Sequence, residues 1–200
     1  MSQNSHPELK NSGEARSAIL KAAEKLFAQK GLSGVSVKEI SQAAGTNTAL
    51  LFYYFNNKEQ LYRSLILEAG DFIAEGFSAL GRERKNSLDK LTEAVRFFQK
   101  TLCGNPNLMR LAVREMYGFG VLSRQELLEM QQTIIAPFEQ IIRQGIEEGI
   151  FRAVDPKFTA IALLGHIHFF FRPDLICEQL DRETMLDNLL DIFLQGVLQK

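Results

Sequence analysis

The chain has 200 residues, of which 46% are hydrophobic and 24% are charged, a composition that argues for a folded globular protein and against a disordered one. Its formal net charge of −1 gives no sign of a nucleic-acid partner, although residues 1–62 carry a small basic excess. The two cysteines, Cys103 and Cys177, form no CxxC pair, and the segment from Met1 to Lys10 lacks the apolar core of a secretory signal. We therefore expect a cytoplasmic protein that does not enter the membrane.

Helical periodicity begins after a polar segment, residues 1–11, which we predict to be a flexible tail. The first helix carries apolar residues such as Ile19 and Phe27 at helical spacing, and Gly31 is a natural end for it. Ser36 and Glu39 have the spacing of a capping box, in which each side chain binds a free amide of the other residue. This pair predicts the start of a short second helix.

The same pattern continues to the end of the chain. Asn47 and Asn57 are placed to cap a third and a fourth helix, and Gly70 and Gly76 fall inside the fourth, where we expect them to soften it. Later caps and apolar stripes predict five more helices, and no long stretch alternates with the period of a strand. The sequence therefore predicts an all-α protein of about nine helices.

Residues 35–55 have the pattern of a helix-turn-helix. Gly45 stands at the turn, where positive φ is needed, and Ile40 and Leu51 face inward from the two helices. The second helix would then present its opposite face to the DNA major groove, and the residues available there are Thr46, Asn47, Thr48, Ala49 and Tyr53. An ordinary helical hairpin is the alternative that this spacing alone leaves open.

Three segments carry a family resemblance. Arg16 precedes ILKAAEKLFAQKG at residues 19–31, VSVKEISQAAGTNTALLFYYFNNKEQL follows at 35–61, and EEGIFRAVDP lies at 147–156. Together they resemble the TetR/AcrR family of transcriptional regulators. The resemblance implies an N-terminal three-helix DNA-binding domain at residues 12–72 and a larger helical domain at 73–200 for ligand binding and dimerisation.

The function that this resemblance implies is sequence-specific DNA binding by a homodimer. The protein would repress transcription from a palindromic double-stranded DNA operator until a small hydrophobic or amphipathic effector releases it. A transcriptional activator of the same fold and a helical adaptor that does not bind DNA are the alternatives. We find no nucleophile elbow, phosphate-binding loop or cysteine–histidine zinc spacing, so the sequence predicts no catalytic residue, no metal site and no cofactor.

The helix predicted to read DNA departs from the family pattern at three positions. Leu50 stands where the family often has a polar residue, Phe52 where tyrosine is usual, and Thr48 where a lysine or arginine is frequent. The helix has no lysine or arginine at all, although these residues make the commonest specific contact with guanine. Readout would therefore rest on threonine, asparagine and tyrosine, or on DNA shape.

The resemblance also assigns candidate site residues. Lys38, Tyr53 and Lys58 are expected at DNA phosphates, and Thr46, Asn47 and Thr48 at base edges or phosphates. The candidate effector pocket, chosen for aromatic, thioether and polar side chains, comprises Phe98, Leu102, Met109, Arg114, Met116, Tyr117, Phe138 and His166. The candidate dimer interface, chosen from two strongly apolar helices near the C-terminus, comprises Leu164, His168, Leu186, Leu190 and Phe193.

Overall fold

The computed structural model describes residues 8–116, 118, 120–170 and 181–198. Within them the chain forms nine α-helices: α1 Glu8–Lys30, α2 Val37–Ala43, α3 Thr48–Phe55, α4 Lys58–Gly81, α5 Ser87–Gly104, α6 Pro106–Met116, α7 Arg124–Glu147, α8 Pro156–Phe170 and α9 Arg182–Val197. The described residues contain one isolated antiparallel bridge, between Phe151 and Leu198, and no longer strand pairing. The all-α prediction is confirmed.

Helix α1 begins earlier than the sequence suggested. It starts at Glu8, inside the segment predicted as a tail, so the tail prediction is too long by residues 8–11. Glu8, Leu9 and Lys10 are strong helix formers, and adding them to a helix that already exists costs far less than starting a new one.

The predicted caps of the short helices are present. Ser36 and Glu39 form the reciprocal capping box of α2, and the Asn47 side chain accepts a hydrogen bond from the Leu50 amide at the start of α3. Lys30 on α1 also donates to the Glu39 carboxylate at 2.8 Å. The Lys30 ammonium, helped by the Ser36 amide and hydroxyl, lowers the pKa of Glu39 to about 2. The start of α2 is therefore held by local bonds and by α1 together.

The chain divides into two compact units. The first contains the described residues up to Ala69 together with Arg110–Ser123, and the second contains Gly70–Met109 and the described residues from Arg124 onward. The division on α4 lies three residues before the predicted domain boundary between residues 72 and 73. A further division lies within α6, which begins in the second unit and ends in the first.

The core of the first unit joins α1, α2, α3 and α4. Ile19 and Phe27 of α1 are fully buried, as are Ile40 of α2 and Leu51 of α3. The Phe27 ring packs edge-on against Tyr62 of α4, with ring centroids 5.3 Å apart. Burial of these side chains fixes the helix-turn-helix on α1 and α4, because each short helix has too few internal bonds to be stable alone.

An aromatic cluster occupies the core of the second unit. Phe77 of α4 packs edge-on against Phe138 of α7 at 5.0 Å and lies 6.1 Å from Phe98 of α5, measured between ring centroids. The Phe97 ring lies so close to Gly76 that a Cβ there would overlap it. Gly76 is therefore needed for close packing of α4 and α5.

Candidate DNA-binding and effector sites

The turn between α2 and α3 has the geometry that DNA-reading helix pairs require. Gly45 adopts φ +66, and no atom lies within 4 Å of the position that a Cβ would take there. The constraint on this position is therefore backbone conformation rather than space. The Thr46 amide donates to the Ser41 carbonyl at 2.9 Å, which closes the turn and fixes the direction in which α3 leaves it.

Helix α3 presents one exposed face. Thr48, Ala49, Phe52 and Tyr53 are exposed, and they occupy positions i, i+1, i+4 and i+5, which share one side of an α-helix. Tyr53 is 78% exposed and Phe52 is 49% exposed. The opposite side of α3 is buried in the unit's core through Leu51 and Phe55. We call these four exposed residues the α3 outer face.

The predicted base-reading residues differ in their exposure and in their hydrogen bonds. Thr48 lies on the α3 outer face, whereas Asn47 uses its side-chain oxygen to cap α3, bonding the Leu50 amide at 2.9 Å. The Thr46 hydroxyl is buried and has no hydrogen-bond partner among the described residues. This burial gives no support to the expectation that Thr46 meets base edges or phosphates, which stays a prediction.

The predicted phosphate-binding residues also differ from one another. Lys38 is exposed on α2, and Tyr53 is exposed on α3, where its ring packs edge-on against Tyr54 at a centroid distance of 5.0 Å. Lys58 instead donates to the carbonyl oxygens of Leu32 and Val35 at 2.9 and 3.0 Å. Two of its three N–H donors thus tie the start of α4 to the loop before α2, and one remains for a phosphate.

Arg16 of α1 contacts α3 and α4 in the first unit. Its guanidinium is ion-paired with Glu68 of α4 and lies 5.3 Å from the centroid of the Phe55 ring. The hydrogen bond to Glu68 raises the pKa of Arg16 above its usual value. The arginine that helped to carry the family resemblance is therefore a structural residue that holds α1, α3 and α4 together.

A buried carboxylate lies near the end of α6. Glu115 is 1% exposed and accepts hydrogen bonds from the amides of Val121 and Leu122 at 3.0 and 3.1 Å. The Tyr62 hydroxyl of α4 donates to the same carboxylate, and burial, followed by the proximity of Glu115, raises the pKa of that tyrosine. Gly120 leaves the space that Glu115 fills. We call this arrangement the Glu115 latch.

The residues proposed for the effector pocket divide between the two units, and a pocket formed by them stays a prediction. Phe98, Leu102, Met109 and Phe138 are buried core side chains of the second unit, and none of them lines the cavity described below. Their apolar character is used for packing, as in any core of this size. Arg114 belongs to the first unit, where its guanidinium lies against Gly31. The Met116 side chain and Tyr117 lie outside the described residues.

A cavity of about 900 Å³ lies between α8 and α9. Its walls are mainly apolar and include Phe158, Ala162, Met185, Ile192 and Phe193. Of the predicted pocket residues whose side chains the structure describes, His166 alone lines this cavity. The ring Nδ1 of His166 bonds the Ala162 carbonyl at 2.6 Å. We call this cavity the α8–α9 groove.

The predicted dimer interface requires correction. Leu164, Leu186 and Leu190 are buried within the second unit, so they are not available to a partner. His168 packs against the Phe98 ring, with ring centroids 5.4 Å apart, and burial lowers the pKa of its imidazole. Phe193 alone among the five lines the α8–α9 groove. Helices α8 and α9 each bury one apolar face and expose another. The large apolar residues on the exposed faces are Phe158, Ile161, Phe169 and Ile192.

Among the described residues, no helix is long and apolar enough to cross a membrane. Those residues also contain no group of three or more histidine, cysteine, aspartate or glutamate side chains that could hold a metal ion.

Comparison with known proteins identifies the same two regions. Residues 19–65 match the family described as bacterial regulatory proteins of the tetR family, and residues 84–172 match the tetracyclin repressor-like C-terminal domain. Together these matches span more than half of the chain. They cover both the helix-turn-helix and most of the second unit.

Individual relatives agree with these matches. The chain is 26% identical to the HTH-type transcriptional repressor NicS of Pseudomonas putida, over 91% of this chain and 92% of that protein. A tetR-family regulatory protein from Rhodococcus RHA1 has the same fold, with a TM-score of 0.79, 20% identity and coverage of 93% of this chain and 98% of the other. AibR, solved with isovaleryl coenzyme A and operator DNA, has a TM-score of 0.73, 21% identity and coverage of 89% and 97%. The chain belongs to the TetR family of transcriptional regulators.

Proposed function

We propose that this protein is a transcriptional repressor that binds a DNA operator sequence-specifically as a homodimer and leaves it when a small effector binds. The α3 outer face carries this proposal. It follows a glycine turn directly and exposes Thr48 and Tyr53, while the rest of α3 is fixed in a packed core. An exposed helix held in this way can enter the major groove of DNA.

The homodimer is supported by the surface of the second unit. Two recognition helices must lie about 34–36 Å apart to bind successive major grooves, which requires two copies of the chain. Phe158 and Ile192 are large, exposed apolar residues that line the α8–α9 groove, and continuous exposed apolar surface commonly marks an interaction site. We propose that a second copy covers this face.

The effector that we propose is a small hydrophobic or amphipathic molecule. The relative NicS is named a repressor, and AibR was solved with both an acyl-coenzyme A and its operator. We further propose that the protein acts in the cytoplasm, where its DNA is accessible, and that it catalyses no reaction.

DNA binding can be tested by selecting duplexes from a random-sequence pool and measuring the affinity of the enriched sequence at several salt concentrations. Lys38→Ala should lower the slope of log affinity against log salt by about two units, because one phosphate contact is lost in each protomer of the dimer. Lys100→Ala is the control, since this lysine is exposed on α5 of the second unit. Tyr53→Phe should weaken binding to all sequences alike. A pool without enrichment would refute the proposal.

Repression is tested separately. The enriched duplex is placed over a promoter in a transcription assay, and the protein should lower transcript yield. A rise in yield would identify an activator with the same DNA-binding unit and leave the DNA-binding proposal intact.

A further inference from the structure

The α3 outer face has an unusual chemical composition. Its four residues, Thr48, Ala49, Phe52 and Tyr53, carry no charge, and no residue of α3 is a lysine or arginine. Phe52 has no hydroxyl group and so cannot bond a phosphate, yet about half of its side chain is exposed, at 49%. A phenylalanine in this position has only apolar contact to offer to whatever faces it.

Few hydrogen-bonding groups remain for reading bases from α3. The Asn47 oxygen already caps the helix, and the Thr46 hydroxyl is buried. Thr48 and Tyr53 supply the hydroxyl groups of the outer face. Guanine is usually read by a bidentate arginine or a lysine, and α3 has neither.

The major groove contains one apolar group that distinguishes bases, the C5-methyl of thymine. An exposed phenylalanine ring and an alanine methyl are suited to contact this group, and neither can satisfy the polar edge of a guanine–cytosine pair. Phe52 and Ala49 are three residues apart and lie on the same side of α3, so they can meet neighbouring bases.

We propose that Phe52 and Ala49 read thymine methyl groups in the operator, and that recognition by α3 depends on these methyls instead of guanine contacts. This inference rests on the proposed function, because it requires that α3 enters the major groove. It names the specificity residues of that site and the chemical group that they recognise. Phe52 is thereby a DNA-reading residue that the family pattern does not supply, since tyrosine is usual there.

The test uses the duplex enriched from the random-sequence pool. Each thymine is replaced singly by deoxyuridine, which removes the methyl group and leaves every hydrogen-bonding atom in place. Loss of one buried methyl should weaken wild-type binding about four-fold, and loss of the matching methyls in both half-sites about fifteen-fold, at the usual worth of a buried CH₂ group.

Two variants connect the effect to Phe52. Phe52→Ala should bind the thymine and deoxyuridine duplexes with equal affinity at the position that Phe52 reads. Tyr53→Phe should bind both more weakly while keeping the wild-type ratio between them. Circular dichroism checks that both variants are folded, which we expect because both side chains lie outside the core.

The outcomes separate this inference from the function that underlies it. A four-fold loss at one or two thymines in each half-site, abolished by Phe52→Ala at the thymine that Phe52 reads, supports the inference. If a duplex is enriched but every thymine tolerates the change, while 7-deazaguanine weakens binding at positions facing α3, the inference is overturned and DNA binding stands. If no duplex is enriched, the proposed function fails and the inference fails with it.

Discussion

The Glu115 latch makes a strong prediction about stability. In Glu115→Gln, the side chain keeps its size but replaces one acceptor oxygen with an NH₂ group. The amides of Val121 and Leu122 and the Tyr62 hydroxyl then compete for one neutral oxygen. At least one buried donor loses its partner, and the surviving bonds lose their charge assistance.

The magnitude follows from these contacts. Hydrogen bonds to charged groups contribute about 1.5–3 kcal/mol each, and an unsatisfied buried donor costs about 1–3 kcal/mol. Glu115→Gln should therefore lower the free energy of unfolding by about 3 kcal/mol or more. Tyr62→Phe removes one donor and leaves the two amide bonds in place, so its loss should be about 1.5 kcal/mol.

The assay is urea unfolding followed by circular dichroism, applied to both single variants and to the double variant. Because both residues act through one bond, the double variant should lose less than the sum of the two single losses. Glu139→Gln is the matched control, since Glu139 pairs with Arg143 on the surface of α7. This substitution should lower the free energy of unfolding by less than about 1 kcal/mol. The hydrogen bonding proposed for the Glu115 latch would be refuted if Glu115→Gln lost as little free energy of unfolding as the control. It would also be refuted if the losses of the two single variants were strictly additive in the double variant.

The remaining predictions concern the second unit. Ile192→Glu should leave the protomer folded, because the side chain is 73% exposed, but sedimentation should show monomers. Leu190→Glu should instead unfold the protein, because it places a carboxylate in the buried core. If Ile192→Glu stays dimeric, the dimer interface lies elsewhere. Gly70→Ala should stabilise α4 by about 0.5–1 kcal/mol in thermal melts. Gly76→Ala should destabilise the protein, because the added methyl group overlaps the Phe97 ring. Equal changes in stability for the two variants would contradict this packing. Burial lowers the pKa of His168, so stability is complete above its usual value of 6.5 and falls as the pH drops below it. Replacing His168 with glutamine should flatten that fall, and an unchanged slope in pH-dependent unfolding would exclude this histidine as its source.

The softening role predicted for the two glycines of α4 is changed by the structure. Gly70 has room for a methyl group, at 3.7 Å from a carbon of Met130, and so it remains a candidate soft point. Gly76 is instead a site of close helix packing. Sequence alone treats the two positions alike, because the nearest neighbour of each comes from a helix distant in the chain.

The features that could be predicted from residue order alone are local. The capping box of Ser36 and Glu39, the Asn47 cap and the Gly45 turn depend on residues a few positions apart, and the structure confirms all three. The helix-turn-helix could be recognised for the same reason, since its geometry is set by spacing within about 20 residues.

Packing between segments that are distant in the chain sets which way each side chain faces. An apolar helix such as α9 has more than one apolar face, and only packing assigns Leu190 to the core and Ile192 to the surface. Glu115 looks like a surface residue until α4 and the segment after α6 supply its three donors. Burial and satisfaction of polar groups depend on residues far apart in sequence, so helical periodicity, which repeats every 3.6 residues, cannot report them.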